Sequence, residues 1–264
     1  MPAAKTNAFR FKQFAVHQEQ AAMKVGTDGV LLGAWVSLTS ATPLRRILDI
    51  GTGTGVIALM LAQRTTLFTG APEIDAVEVD DGAAAEASRN FEASPWNMRL
   101  KVCPMPIQQY AADDRGGRYD LIVSNPPYFM AGTDFRRGFD TSATAAQPSA
   151  ARVAARHAEL LPYDELIEAV LLLLEQENGR FAAIFPYRES GIFIAKAAAR
   201  GLFVRRMLEV HGAPHKPVKR VAAEFSFDRL ERGDIVRETL CIEDGKGNFT
   251  EAYRRLTRDF YLKF

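Results

Sequence analysis

The sequence predicts an α/β fold, a mostly parallel sheet with helices on both faces and a final antiparallel strand. Three observations carry this. Short apolar runs alternate with helix-period segments from Arg46 to Phe185, a glycine-rich turn joins the first run to the first long helix, and two strand-like runs near the C-terminal end are joined by a link too short for a helix.

The apolar runs are "RILDI" (Arg46 to Ile50), "IDAVEV" (Ile74 to Val79), "RLKVC" (Arg99 to Cys103), "YDLIV" (Tyr119 to Val123) and "RFAAIF" (Arg180 to Phe185). Each is short, apolar and rich in β-branched or aromatic residues, as a strand buried on both faces must be. "GVIALMLAQRT", "DGAAAEASRNFEAS" and "YDELIEAVLLLLEQEN" lie between them and read as helices, so each strand returns parallel to the last. "LFVRRMLEV" (Leu202 to Val210) and "KRVAAEFSF" (Lys219 to Phe227) are separated by a Gly/Pro/His-containing link, which allows only an antiparallel hairpin. No linker splits the chain, so residues 1–264 read as one domain. Residues 1–40 form an N-terminal segment packing near the ligand site, and the Ala/Ser/Thr/Gly-rich stretch 130–154 is a long loop suited to a substrate.

Composition excludes more than it assigns. With 47% hydrophobic and 25% charged residues over 264 positions, the chain is neither disordered nor fibrous. The N-terminal stretch has no apolar leader, and the longest apolar run, "AVLLLL" at Ala169 to Leu174, is too short to span a bilayer, so a cytoplasmic protein without membrane contact is expected. Cys103 and Cys241 are isolated, and His17 and His157 lack ligand spacing, so no metal is expected. A net charge of +1 means that any nucleic acid must be held by a local basic patch.

Two motifs carry chemistry. In "LDIGTGTG" (Leu48 to Gly55) the strand delivers Asp49 to its carboxyl end, and Gly51, Gly53 and Gly55 let the backbone turn tightly and approach a ligand closely. A dinucleotide turn is one reading, with a pyrophosphate at the helix N-terminus. An acid inside the strand favours instead a ligand bearing an ammonium group, as the methionine part of S-adenosylmethionine does. Glu78 ends the next strand, where a carboxylate accepts ribose hydroxyls, and Val79 follows it. The second motif is "NPPY", Asn125, Pro126, Pro127 and Tyr128. It reads either as a rigid turn or as a pocket for a planar amine, in which the Asn125 side chain and the carbonyls of Asn125 and Pro126 accept hydrogen bonds and Tyr128 stacks on a base.

"LDIGTGTG", "AVEVD" and "NPPYF" at this spacing resemble the class I S-adenosylmethionine-dependent amino-methyltransferases. "FRFKQFAVHQEQAAMKVGTDGVLLGAW" (Phe9 to Trp35), "SPWNMRL", "ARHAEL" and "AYRRLTRDFYLKF" resemble the bacterial tRNA1(Val) (adenine(37)-N(6))-methyltransferase family over nearly the whole chain. The resemblance implies a Rossmann-like methyltransferase sheet, with Lys24, Gly26 and Thr27 beside the cofactor and an adenine of the tRNA anticodon stem-loop as substrate. It also implies RNA contact by Arg156 and His157. Many relatives carry an acid just after the third strand where this chain has Pro106 in "CPMPIQQY", so recognition of the cofactor's adenine rests on backbone around Ile107.

Arg205, Arg206, Lys216, Lys219 and Arg220 form a basic cluster around the expected hairpin. It reads as a solvated surface or as a rim for RNA phosphates, and phosphate contact is preferred. Two other functions stay open: methylation of a protein glutamine amide, whose planar amine suits "NPPY" equally, and a non-enzymatic RNA-binding module.

Overall fold

The computed structural model describes residues 8–21, 23–40, 42–113, 117–126, 161–231 and 233–264. A small antiparallel hairpin, β1 (Ala8–Arg10) and β2 (Ala15–His17), precedes α1 (Thr27–Trp35). The alternating part follows as β3 (Arg46–Ile50), α2 (Val56–Arg64), β4 (Glu73–Glu78), α3 (Asp81–Glu92), β5 (Leu100–Pro104), α4 (Ile107–Ala112) and β6 (Leu121–Ser124). It continues with α5 (Tyr163–Leu173), β7 (Arg180–Pro186) and α6 (Tyr187–Ala199). The C-terminal part is β8 (Phe203–His211), β9 (Val218–Ser226), β10 (Val236–Cys241) and α7 (Glu251–Thr257).

Among the described residues, eight strands form one sheet in the order β10-β8-β9-β7-β6-β3-β4-β5. β9 alone runs antiparallel, fitted between β7 and β8 by the expected hairpin. Strand alternation divides the core in two. Ile47, Ala76, Val123 and Ile184 face α1 and α2, whereas Leu48, Ile50, Ile122, Phe181 and Phe185 face α5 and α6. Both faces are therefore covered, which explains why the central strands carry so few polar residues.

The β1–β2 hairpin, the short α4, α6, α7 and β10 escape the sequence reading. β10 pairs parallel to β8 at the sheet edge and is mostly exposed, so "VRETLC" lacks the apolar density that marks its neighbours. The parallel strands β3, β4, β5, β6 and β7 end at one common edge, at Ile50, Glu78, Pro104, Ser124 and Pro186. Both chemical motifs emerge there.

Candidate active site

Asp49 lies in the last turn of β3 before the glycines and is fully buried. Its Oδ2 accepts from Thr52 Oγ1 at 2.6 Å and from the Ala58 amide at 3.2 Å, while its Oδ1 has no hydrogen-bond partner among the described residues. Burial pushes the carboxyl up to about 7, against those two hydrogen bonds, and the charge of Glu78 adds to the rise. A buried carboxylate oxygen without a partner is costly, and a cationic group is the partner that offsets it best.

The glycines around it differ in purpose. Gly51 and Gly53 have φ of +69° and +57°, and a Cβ at either would meet nothing within 4 Å. Space is thus left open in front of the turn. A Cβ at Gly55 would instead strike the Phe91 ring at 2.5 Å, so this glycine serves the packing of α3 against the turn. Glu78 is half-buried, and its Oε2 accepts from the Gly53 amide at 2.8 Å and its Oε1 from the Asp80 amide at 3.0 Å. These bonds join the end of β4 to the turn and leave lone pairs for further donors. Val79, next to it, is 52% exposed. Asp80 caps α3 through the Ala83 amide at 2.7 Å.

The start of α1 is held against the same turn. A Cβ at Gly29 would touch Val56 Cγ1 at 3.4 Å, so the first turns of α1 and α2 are in contact, and Gly26 is the N-cap immediately before. Lys24 and Thr27 are exposed beside it. Two residues that the sequence reading missed fasten the approach to this helix. Glu86 on α3, fully buried, accepts from the amides of Glu19 (2.6 Å), Gln20 and Ala21 (2.9 Å). Asn90, one turn on, accepts from the His17 amide at 2.8 Å and donates to the carbonyls of His17 (3.0 Å) and Thr54 (2.9 Å). The i, i+4 spacing of Glu86 and Asn90 on α3 is the only trace of this in the sequence, and in isolation it reads as a solvated face.

Asn125 follows β6 directly. Ser124 pairs with Ile50 across the two central strands and donates its Oγ to the Ile50 carbonyl at 2.9 Å, which sets Asn125 alongside Gly51. Asn125 is half-buried and Pro126 is buried; Pro127 and Tyr128 lie outside the described residues. On the other side of the turn, Pro106 is the N-cap of α4 and Ile107 is buried beneath the end of β5.

Comparison with known proteins bears on this arrangement. A methyltransferase small domain model matches residues 31–149. The tRNA1(Val) (adenine(37)-N6)-methyltransferase of Trichodesmium erythraeum is 43% identical over 98% of this chain and 99% of its own. The chain belongs to that family. The enzyme of the same name from Bacteroides fragilis is 41% identical over 97% of this chain and 98% of its own. The crystal structure of a predicted O-methyltransferase from Agrobacterium tumefaciens shares the fold, with a TM-score of 0.59 at 17% identity, over 88% of this chain and 96% of the other.

The family kinship turns attention to the basic residues, which the structure separates. Lys216, Lys219 and Arg220 lie at the β8–β9 turn, on the same edge as Asn125, since Arg220 pairs with Pro186 at the end of β7. Arg205 and Arg206 lie in the first half of β8; Arg206 pairs with Glu224, four residues along β9 from Arg220, so the two groups are about 13 Å or more apart at the rise of an extended strand. Arg206 is also engaged: it bonds Glu238 and Glu224, and its guanidinium lies 4.3 Å over the Trp35 ring. Arg205 pairs with Asp228 at 3.3 Å. Arg220 donates to Asp28 Oδ2 at 2.7 Å and so braces the start of α1. Lys216 and Lys219 have no ion pair among the described residues. Arg156, His157 and the 130–154 loop lie outside the described residues. Among those described, no helix is long and apolar enough to cross a membrane, and no group of three or more His, Cys, Asp or Glu side chains could hold a metal ion.

Proposed function

We propose that this chain methylates the exocyclic amine of adenine 37, in the anticodon stem-loop of tRNA1(Val), using S-adenosylmethionine. Kinship with the family supports the substrate. The observation that carries the chemistry is the buried Asp49 oxygen without a partner, in front of open space at Gly51 and Gly53 and one strand from Asn125.

These residues fit the cofactor. Asp49 would hold its ammonium group, Glu78 its ribose hydroxyls, and Val79 and the backbone at Ile107 would border its adenine. Lys24, Gly26 and Thr27 border the same cleft. Once bound, S-adenosylmethionine supplies an electrophilic methyl group on a positively charged sulfur. The chain's own task is to aim a poor nucleophile, since the lone pair of an adenine amine is delocalised into the ring. The Asn125 side chain and the Asn125 and Pro126 carbonyls would accept from the amine hydrogens and so favour a pyramidal nitrogen with a localised lone pair. By sequence, Pro127 and Tyr128, which lie outside the described residues, complete the motif, and a tyrosine there would suit stacking on the target ring. The work is done by positioning, and the surplus proton passes to water after transfer. No side-chain base is required.

The test is methylation with labelled cofactor on total RNA from a strain lacking the gene, followed by nucleoside analysis. N6-methyladenosine confined to tRNA1(Val) is expected. Label that survives nuclease treatment and resides in a glutamine amide would replace this reading with protein methylation.

A further inference from the structure

We propose that Tyr187, with Arg188 beside it, is a stacking platform for a base that neighbours the methylated adenine. The proposal rests on the reading of an RNA adenine as substrate. Three aromatic rings are exposed among the described residues, and Tyr187 is the most exposed, at 52% against 40% for Phe249 and 39% for Phe68. Phe249 packs on Tyr253 and Phe264, with centroids 5.2 Å from each. Phe68 follows α2, at the sheet edge away from Asn125. Tyr187 alone of the three stands at the edge where the motifs emerge.

Its ring touches no other ring, and its hydroxyl makes no hydrogen bond among the described residues. Nearby aromatic packing is complete without it. Tyr163 donates its hydroxyl to Glu189 and sets its ring edge-on to Phe185 and Phe193, at 5.9 and 5.2 Å. An exposed tyrosine that contributes nothing to this cluster has a large amphipathic surface to offer a partner.

Register locates that partner. Ser124 pairs with Ala183 as the last pair of that ladder, and β7 runs on to Pro186, so Tyr187, the first residue of α6, stands just past the end of the strand that neighbours the one leading into Asn125. With strands about 4.8 Å apart and a rise of about 3.3 Å per residue, its Cα lies roughly 14 Å from that of Ser124, the last residue of β6. This is near enough to take a base next to one held at Asn125 and too far to take the same base. Pro186 pairs with Arg220, so Arg188 in the first turn of α6 and Lys219 on β9 lie at the same edge of the sheet. Both are exposed, and neither has an ion pair among the described residues. An aromatic face flanked by unpaired cations is the arrangement that holds single-stranded nucleic acid. A splayed anticodon loop presents such bases.

The experiment compares Tyr187→Ala and Tyr187→Phe with the unaltered chain, using tRNA1(Val) transcript and an anticodon stem-loop carrying 2-aminopurine next to adenine 37. Tyr187→Ala is expected to raise KM for tRNA by roughly ten- to a hundred-fold, the range of lost base–aromatic stacking. Affinity for S-adenosylmethionine, melting temperature and the salt dependence of RNA binding stay unchanged. Tyr187→Phe retains the quenching of 2-aminopurine on binding, and Tyr187→Ala loses it. Equal KM and equal quenching in the alanine variant overturn the platform, as does a lowered melting temperature, which would assign the ring to the fold. Failure of the unaltered protein to methylate any tRNA overturns the substrate reading itself, and the platform with it.

Discussion

Replacing Asp49 by Asn should make the protein more stable and nearly unable to bind its cofactor. The carboxyl moves from its ordinary 3.8 to about 7 on folding, because it is buried with one oxygen unpartnered. The folded chain therefore holds the proton more tightly than the unfolded one. The ionised form carries a penalty that is absent below pH 4, grows as pH rises and is complete above about 7. That penalty is at most about 4 kcal/mol at 1.36 kcal/mol per pH unit, and less than half of it remains at pH 5. An amide of the same shape keeps an acceptor for Thr52 and Ala58 and carries no such charge. Asp49→Asn should thus melt roughly 8 °C or more above the unaltered chain at pH 8, with a much smaller gain at pH 5. Binding moves the other way. An ammonium group facing a neutral amide in a buried site costs about 2–5 kcal/mol, so affinity for S-adenosylmethionine falls by two orders of magnitude or more. In the unaltered chain, Kd should rise up to tenfold for each pH unit below 7 and stay level from 7 to 8.5, since the cofactor selects the ionised carboxylate. Thermal melts and titration calorimetry across that range measure both. A cofactor affinity independent of pH, together with an unaltered Kd in Asp49→Asn, would falsify the assignment of the ammonium site.

Gly53→Val should weaken cofactor binding about a hundredfold or more in calorimetry, because its branches enter the open space before the turn and its φ of +57° disfavours any side chain. Asn125→Ala should leave cofactor affinity within a few-fold and lower kcat by roughly two orders of magnitude, as loss of a positioning group does; normal single-turnover rates would return "NPPY" to a simple turn. Lys216→Glu with Lys219→Glu should weaken tRNA binding and flatten its salt dependence by about 0.7–0.9 per lost phosphate contact, read from binding isotherms at several salt concentrations. Arg206→Ala should leave that slope alone and instead lower unfolding free energy by about 3–5 kcal/mol in denaturant titration, because Glu224, 4% exposed, loses its cation.

Much of the fold was legible because a doubly covered sheet writes itself in apolar runs. "RILDI" coincides with β3, and the other central strands differ from their runs by a residue or two at the ends. Asp49, Glu78 and Asn125 were legible for a related reason: each lies at or just past the end of a strand, and parallel topology brings strand ends to one edge. What the sequence hid depends on contacts between distant segments. Glu86 and Asn90 sit in "AAAEASRNFEAS", where a polar face looks solvated until residues 17–21 are laid over it. The basic cluster misled in the opposite sense. Arg205 and Arg206 read as free cations beside Lys216 to Arg220, but in the fold both are paired with acids that lie far from them in the sequence or on another strand, Asp228, Glu224 and Glu238. Arg206 finds its acids on β9 and β10, and β10 was itself invisible.

The N-terminal hairpin has a second anchor, far from α3 in the chain. Lys12 reaches the carbonyls of Arg258 and Phe264 at 2.6 and 2.7 Å, its amide bonds the Phe260 carbonyl, and Phe11 bridges Tyr261, contacts that span almost the whole chain. These contacts join residues 11 and 12 to residues 258–264. During synthesis the sheet can assemble strand by strand, and Glu86 and Asn90 can hold residues 17–21 once α3 forms, but the β1–β2 hairpin cannot gain its second anchor until residues 258–264 have left the ribosome. A nascent chain therefore carries Asp49, Glu78 and Asn125 at its sheet edge well before the hairpin upstream of them is fixed, and that fastening is a late event of folding.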